Sequence, residues 1–336
     1  MTIDGIIYSW YGSGGIGTYF KELTNSLVRP GVDVQFLSYS NSISLPNSIK
    51  MRIRPFERFR DCVVPTGSGG VFHSSYYRLP TCASYRVVTT VHDFISERTR
   101  RGPWKYLHSL QKFRAIMGSH ALICVSHATA ADLIEYCPNV DRDRIHVIHN
   151  AASGDFYPIV AVSEPAHAVL YVGERKGYKN FRAAVLACAL IPRLQLRIVG
   201  GGDASLDELS LLAKYLPGRH SFLGRLSMSQ LNVEYNDALC LLYPSSMEGF
   251  GIPLVEAMRA GCPVVAVRSA ATAEVVAEAG YLADSCDPEE LSVLVRGLFD
   301  DTVRSRVRVA GLTRARDFSW EEAANQILAV YRDVWR

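Results

Sequence analysis

Short apolar runs alternate with stretches in which apolar residues recur every three to four positions along most of this 336-residue chain. Runs bounded by turn-forming residues read as buried strands, and the wider spacing reads as amphipathic helices. In the first half, strands are predicted at 5–8, 32–37, 70–72, 86–91, 121–125 and 145–148, with helices over 17–28, 103–117 and 126–136. In the second half, strands are predicted at 168–172, 195–199, 221–223, 238–243, 263–266 and 280–282. Helices fall near 180–190, 205–215, 227–236, 253–260 and 288–299. Such alternation predicts parallel sheets covered on both faces. The expected fold class is α/β, with two Rossmann-like doubly wound domains facing each other across a cleft. Asn150 to Pro158 is rich in small and turn-forming residues, and the run to about residue 166 has little pattern, which suits a hinge linker. The expected domains are therefore 1–152 and 153–319. Ligands of such sheets bind beyond the carboxyl ends of the strands, so the chemistry is sought there.

Composition narrows the class. With 48% hydrophobic and 21% charged residues, the chain has an ordinary globular balance and no sign of long disorder. No run of about 18 apolar residues is present to span a bilayer. The start, running directly into Ile6–Tyr8, does not read as a signal peptide. Eight scattered cysteines without a Cys-x-x-Cys pair are expected to be buried reduced thiols of a cytoplasmic protein. Charge is uneven: residues 1–150 carry 17 Lys and Arg against 11 Asp and Glu, and residues 151–336 carry 19 against 22. The basic excess gathers at Arg98, Arg100, Arg101 and Lys105, interleaved with Trp104 and Tyr106. That mixture suits an anionic membrane surface or a phosphorylated lipid, and equally a solvated helix start.

Four segments carry candidate chemistry. Tyr11 to Tyr19, with glycines at 12, 14, 15 and 17, follows the first predicted strand and opens the first helix. Glycine lets backbone approach a ligand, and N–H groups at a helix start favour an anion. The spacing departs from a dinucleotide fingerprint, so a phosphate-facing loop and a plain tight turn both stand. Tyr171 to Asn180 places Arg175, Lys176 and Lys179 within five residues, just past a strand's carboxyl end. Cations crowded there suit a diphosphate, or else form a solvated basic loop. The most specific segment, Tyr243 to Met258, puts seven residues between Glu248 and Glu256, around the turn Gly249 to Pro253. Carboxylates accept hydrogen bonds from vicinal hydroxyls. The N–H groups of Gly251, Ile252 and Leu254 are expected to be free for phosphate or sugar oxygens. Compensation of the helix dipole explains one glutamate but not the turn. Finally, His92 ends the run 86–91 with Asp93 beside it, as a cleft residue or a structural histidine.

Taken in order, these segments resemble glycosyltransferase family 4, retaining enzymes of the GT-B architecture. The resemblance runs over nearly the whole chain, through Gly14–Gly17, Val91–Asp93, Val125 and Ser126, Ile148–Asn150, Val172 and Gly173, Lys179 and Asn180, Glu248–Glu256 and Phe318–Glu321. It implies that Arg175 and Lys179 neutralise a departing diphosphate, while Gly14, Gly15 and Ile16 close over that group from the first domain. Glu256 is implied to bind the donor ribose and Glu248 a donor-sugar hydroxyl. Phe250 and Gly251 would offer N–H groups to the same sugar, with Gly173, Ile252 and Leu254 also on the donor side. His92 would lie near the donor sugar and acceptor. The turn Gly224 to Leu226 would meet the nucleobase, and the last helix, 320–336, would return to the first domain. One departure is Tyr178, which stands where many relatives carry an arginine before the Lys-Asn pair. Tyr178–Phe181 resembles transferases of bacterial surface polysaccharides, often with mannose-like donors.

The implied activity is retaining transfer of a hexose from a nucleotide diphosphate sugar to a glycan or polyprenyl-linked acceptor, in polysaccharide biosynthesis of the O-antigen or capsule type. No cofactor or metal is expected, because the basic loop stands where other transferases hold a divalent ion, and no nucleic-acid partner is expected. The implied location is cytoplasmic, with peripheral contact on the inner face of the membrane as an open extension. A GT-B sugar-nucleotide epimerase and a non-catalytic nucleotide-sugar-binding subunit are the competing readings.

Overall fold

The first strand, β1, is Thr2–Asp4 rather than the apolar run after it. Gly5 still donates to Leu37 O at 2.9 Å, but the Asp4 side chain then accepts the Ile6 N–H at 3.2 Å and turns the chain. Ile7–Trp10 becomes a short helix, α1, so the expected strand at 5–8 is incorrect. A short apolar run does not by itself distinguish a buried strand from a buried helical turn.

The computed structural model describes residues 1–10, 14–39, 47–65, 69–99, 102–159, 166–175 and 177–336. The side chains of 10, 103–105 and 166 also lie outside this description, as do Lys176 and the first residues of the Tyr11–Tyr19 segment. The chain divides into two units, Met1–Asn150 with Ser319–Arg336, and Ala151–Phe318.

Unit 1 continues with α2 (Gly15–Leu27), β2 (Gln35–Ser38), β3 (Ser48–Lys50), β4 (Gly70–Ser74) and β5 (Tyr85–Val91). Next come α3 (Ile95–Thr99), α4 (Pro103–Gly118), β6 (Ala121–Cys124), α5 (His127–Tyr136) and β7 (Ile145–Val147). Its seven strands are all parallel, in the order β3-β2-β1-β4-β5-β6-β7.

Unit 2 holds β8 (Ala166–Val172), α6 (Phe181–Ala189), β9 (Gln195–Val199), α7 (Leu206–Tyr215), β10 (His220–Gly224) and α8 (Met228–Asp237). It continues with β11 (Ala238–Tyr243), α9 (Ile252–Ala260), β12 (Val264–Val267), α10 (Ala270–Val276), β13 (Tyr281–Ala283), α11 (Pro288–Gly297) and α12 (Asp301–Arg314). Its six strands, also parallel, run β10-β9-β8-β11-β12-β13. In both sheets the order grows outward from the first strand and then reverses, the doubly wound pattern that opens a crevice where the direction changes.

The unit 2 core is aliphatic, with Val169, Leu196, Ile198, Leu239, Leu242 and Val265 fully or almost fully buried. The last helix, α13 (Trp320–Trp335), belongs to unit 1. Its buried residues Trp320, Ala323, Ala324, Ile327, Leu328 and Tyr331 follow the helical period, and Ser319 caps it. Within unit 1, Arg78 is fully buried and bridges Asp4 Oδ1 at 3.1 Å and Glu57 Oε1 at 2.6 Å. All eight cysteines are free thiols, six of them buried. Cys82 and Cys286 are only half-buried, which corrects the expectation for those two.

Candidate active site

Strand order in unit 2 reverses between β8 and β11. The chain leaving β8 carries Lys179, and the chain leaving β11 carries Glu248. Asn180 ties the two together. It caps α6 in the left-handed conformation at φ 49°, and its Nδ2 donates to Pro244 O at 2.9 Å. Tyr178 O accepts from the Ser246 N–H at 2.9 Å.

Those ties bring opposite charges together. Lys179 Nζ lies 2.5 Å from Glu248 Oε1 and 3.2 Å from the Tyr243 hydroxyl. The Tyr243 hydroxyl donates to the same Glu248 oxygen at 2.6 Å. The lysine and glutamate side chains are 15% and 9% exposed. Burial first, then the Glu248 charge, hold the Tyr243 phenol well above its ordinary range, so it stays a donor.

Arg175 does not join this cluster. Its guanidinium donates to Gly200 O at 2.6 Å and to Gly202 O and Asp203 O at 2.9 Å, and Nε sits 3.2 Å from Glu208 Oε1. Gly200, Gly201 and Gly202 all have positive φ, and a Cβ on Gly201 would collide with the guanidinium. Glycine is needed there for both reasons. The expectation that Arg175 faces an anion is therefore replaced by a clasp on the turn after β9. Lys176, the third cation of the segment, lies outside the described residues.

The turn after β11 enters α9 through Gly251, at φ 101° and with Leu254 Cδ1 only 2.8 Å from any added Cβ. Pro253 is the second residue of that helix. The Leu254 N–H donates to Gly251 O at 3.0 Å, so it is not free for a ligand, contrary to the sequence reading. The N–H groups of Gly251 and Ile252 have no recorded partner among the described residues. The Phe250 ring is buried edge-on against Phe318, at 5.5 Å between centroids. Glu256, the fifth residue of α9, is buried and accepts a hydrogen bond from the Tyr235 hydroxyl of α8 at 3.0 Å.

Strand ends on the other side of β8 are chained by backbone. The Gly173 N–H donates to Val199 O at 3.0 Å and the Gly200 N–H to Gly224 O at 2.8 Å. Leu226 is half-buried in the turn that follows β10, and Ser227 caps α8.

In unit 1, Gly14 caps α2 with extended backbone, Gly15 is its first residue, and Ile16 is half-buried. His92, just past β5, is 7% exposed, and its Nε2 has no hydrogen-bond partner among the described residues. Tyr19 packs edge-on against its ring at 5.0 Å. Burial above all, then His73 and Lys112, depress the His92 pKa to about 3, leaving it a neutral imidazole. Arg98 pairs with Asp132 at 2.6 Å, so its charge is directed to α5. Arg100 and Arg101 lie outside the described residues.

The sequence model described as glycosyl transferases group 1 matches residues 159–314, and that of Glycosyltransferase Family 4 matches residues 70–153. The chain belongs to glycosyltransferase family 4. This glycosyltransferase is 28% identical over 287 residues to the O-antigen chain mannosyltransferase B of Escherichia coli, spanning 78% of this chain and 74% of that one. It is 34% identical over 226 residues to a phosphatidyl-myo-inositol mannosyltransferase of Mycobacterium tuberculosis, covering 62% of this chain and 56% of the relative. Its fold matches Anabaena HepE, solved in complex with UDP-glucose, with a TM-score of 0.75 and 16% identity over 99% of this chain and 98% of that one. Two parallel sheets of seven and six strands with flanking helices are the GT-B type.

The group 1 match contains all the expected residues of unit 2, and the family 4 match contains His92. Sequence reasoning missed two tyrosines of this glycosyltransferase, Tyr243 on Glu248 and Tyr235 on Glu256. The available signal was position: Tyr243 is the last residue of a strand beside the reversal point.

Proposed function

We propose that this glycosyltransferase moves a hexose, mannose-like in type, from a nucleoside diphosphate sugar to a hydroxyl of a glycan or polyprenyl-linked acceptor, with retention at the anomeric carbon. The Lys179–Glu248 pair at the reversal point of the unit 2 sheet carries the reading. The name of the Escherichia coli relative supports the sugar and acceptor class, and the neighbour solved with UDP-glucose supports the donor class.

In the reaction, the bond from the anomeric carbon to the diphosphate oxygen breaks. A new bond forms from the acceptor oxygen on the same face, and the acceptor proton passes to a phosphate oxygen. Negative charge grows on the leaving diphosphate, and a preorganised cation stabilises it in the transition state. Lys179 serves there, and Glu248 holds a sugar hydroxyl. Glu256 holds the ribose, and the N–H groups of Gly251 and Ile252 meet sugar or phosphate oxygens. Arg175 serves by fixing the turn Gly200–Asp203. His92 and the start of α2 keep the roles that the family resemblance implies. No divalent ion is assigned a role.

Purified protein with labelled donor, assayed with and without acceptor extract, tests this. Label is expected in acceptor, with turnover persisting in chelator, and Lys179→Ala is expected to lower kcat by roughly 100-fold or more, the scale of a lost transition-state contact. An altered donor sugar formed without acceptor would instead establish an epimerase, and binding without conversion would establish a silent subunit.

The reading extends to peripheral contact with an anionic bilayer at the inner face of the membrane. The α4 helix exposes Tyr106, Leu110 and Met117 in one stripe. Gln111 and Arg114 of α4 hold the adjoining segment at Arg58 and Asp61. That segment exposes Ile53 and Phe56 near the exposed Arg52. Among the described residues, no helix is long and apolar enough to cross a membrane.

A further inference from the structure

The ammonium of Lys179 and the carboxylate of Glu248 share a third partner that the family resemblance does not supply. Tyr243 is 3% exposed, and its hydroxyl has one proton to give and lone pairs to accept with. The proton goes to Glu248 Oε1 at 2.6 Å, and a lone pair takes an N–H of Lys179 at 3.2 Å. The lysine, with three donors, directs a second to Glu248 Oε1 at 2.5 Å. Both props converge on one carboxylate oxygen, and neither engages Oε2.

The arrangement also suits exchange. When an anion draws the ammonium away, a carboxylate this little exposed would lose its counter-charge, and burying an unpaired charge is costly. The phenol remains on Oε1 throughout. Its ring is anchored as the last residue of β11, where Tyr243 pairs with Ala266 of β12. Tyr235 stands to Glu256 in the same relation, from the end of α8.

We propose that Tyr243 is a positioning residue for sugar transfer: it holds Glu248 in the orientation that meets a donor-sugar hydroxyl while Lys179 turns to the diphosphate. The proposal rests on the roles given above to Lys179 and Glu248. It predicts that the hydroxyl, rather than the ring, matters, and that it acts only through Glu248.

The test is a double-mutant cycle of Tyr243→Phe and Glu248→Ala, read as kcat and donor KM, with melting curves for each protein. Tyr243→Phe is expected to lower kcat about 10-fold or more, the scale of one lost hydrogen bond to a charged group. Donor KM is expected to change little, and no further loss is expected in the Glu248→Ala background. Full activity in Tyr243→Phe, or equal losses in both backgrounds, overturns the proposal while leaving the Glu248 assignment standing. Normal kcat and KM in Glu248→Ala alone overturns that assignment and the proposal with it. Should Tyr243→Phe fail to melt cooperatively, near-ultraviolet difference spectra of wild type against Glu248→Ala report the same bond. A tyrosine difference band is expected, and its absence counts against the proposal.

Discussion

Two buried imidazoles bear on how unit 1 responds to acid. His73 and His92 are 1% and 7% exposed, and burial depresses both pKa values from 6.5 to about 3. The unfolded chain therefore takes up protons first as pH falls below 6.5. Their contribution is complete above that value and is lost progressively toward pH 3. The slope is about 1.4 kcal/mol per pH unit for each, so moving from pH 6.5 to 5 costs on the order of 2 kcal/mol apiece. Asp4, lifted by burial to about 6 from 3.8, opposes this with one smaller contribution. Thermal melts between pH 7.5 and 5 should show a falling Tm, with a shallower fall in His73→Asn; a flat profile in the wild type would contradict the assignment. At this scale the sequence was legible in placement: it put Lys179 and Glu248 past strand ends, where the structure brings them together. It misled at Arg175, because a cation in a basic run gives no sign that carbonyls of a distant glycine turn will capture it. It was silent on His73, whose Nε2 lies 2.8 Å from Thr90 Oγ1 and whose Nδ1 meets the Tyr331 hydroxyl, contacts made only by the tertiary fold.

Among the elements, α4 carries the proposed membrane contact. An exposed apolar stripe with the exposed Arg52 on the adjoining segment suits an interfacial position on anionic lipid, where apolar burial and charge attraction act together. Vesicle flotation at low salt should recover the protein with phosphatidylglycerol vesicles. Leu110→Glu should reduce recovery several-fold, and equal recovery of the two proteins would remove α4 from the contact. Most elements were legible from periodicity, and the failures have separate causes. The helix Asp301–Arg314 buries only Val307 and Gly311, too thin a stripe to register. Ala270–Val276 is a short alanine-rich helix, buried at Ala271, Thr272, Val275 and Val276, without a polar face to set its period. The strand Ser48–Lys50 is an edge of three residues carrying no apolar run. Start signals would have helped: Ser269 accepts from Thr272 N and Asp300 from Thr302 N.

At the scale of the molecule, two parallel sheets with the same reversal of strand order give each unit one place where side chains past the strands can converge. Alternation of strands and helices was enough to predict those sheets. It does not reveal which loops touch, and that depends on strand order, which no periodicity records. Lys179 and Glu248 are 69 positions apart in sequence and meet because β8 and β11 are sheet neighbours. The central claim is that this meeting place receives the donor diphosphate. The most direct measurement is a crystal structure of the full chain soaked in turn with UDP and GDP. The account predicts the terminal phosphate about 3 Å from Lys179 Nζ, the lysine turned from Glu248, and ribose hydroxyls on Glu256. A nucleotide ordered elsewhere, with the Lys179–Glu248 pair unchanged, would contradict it.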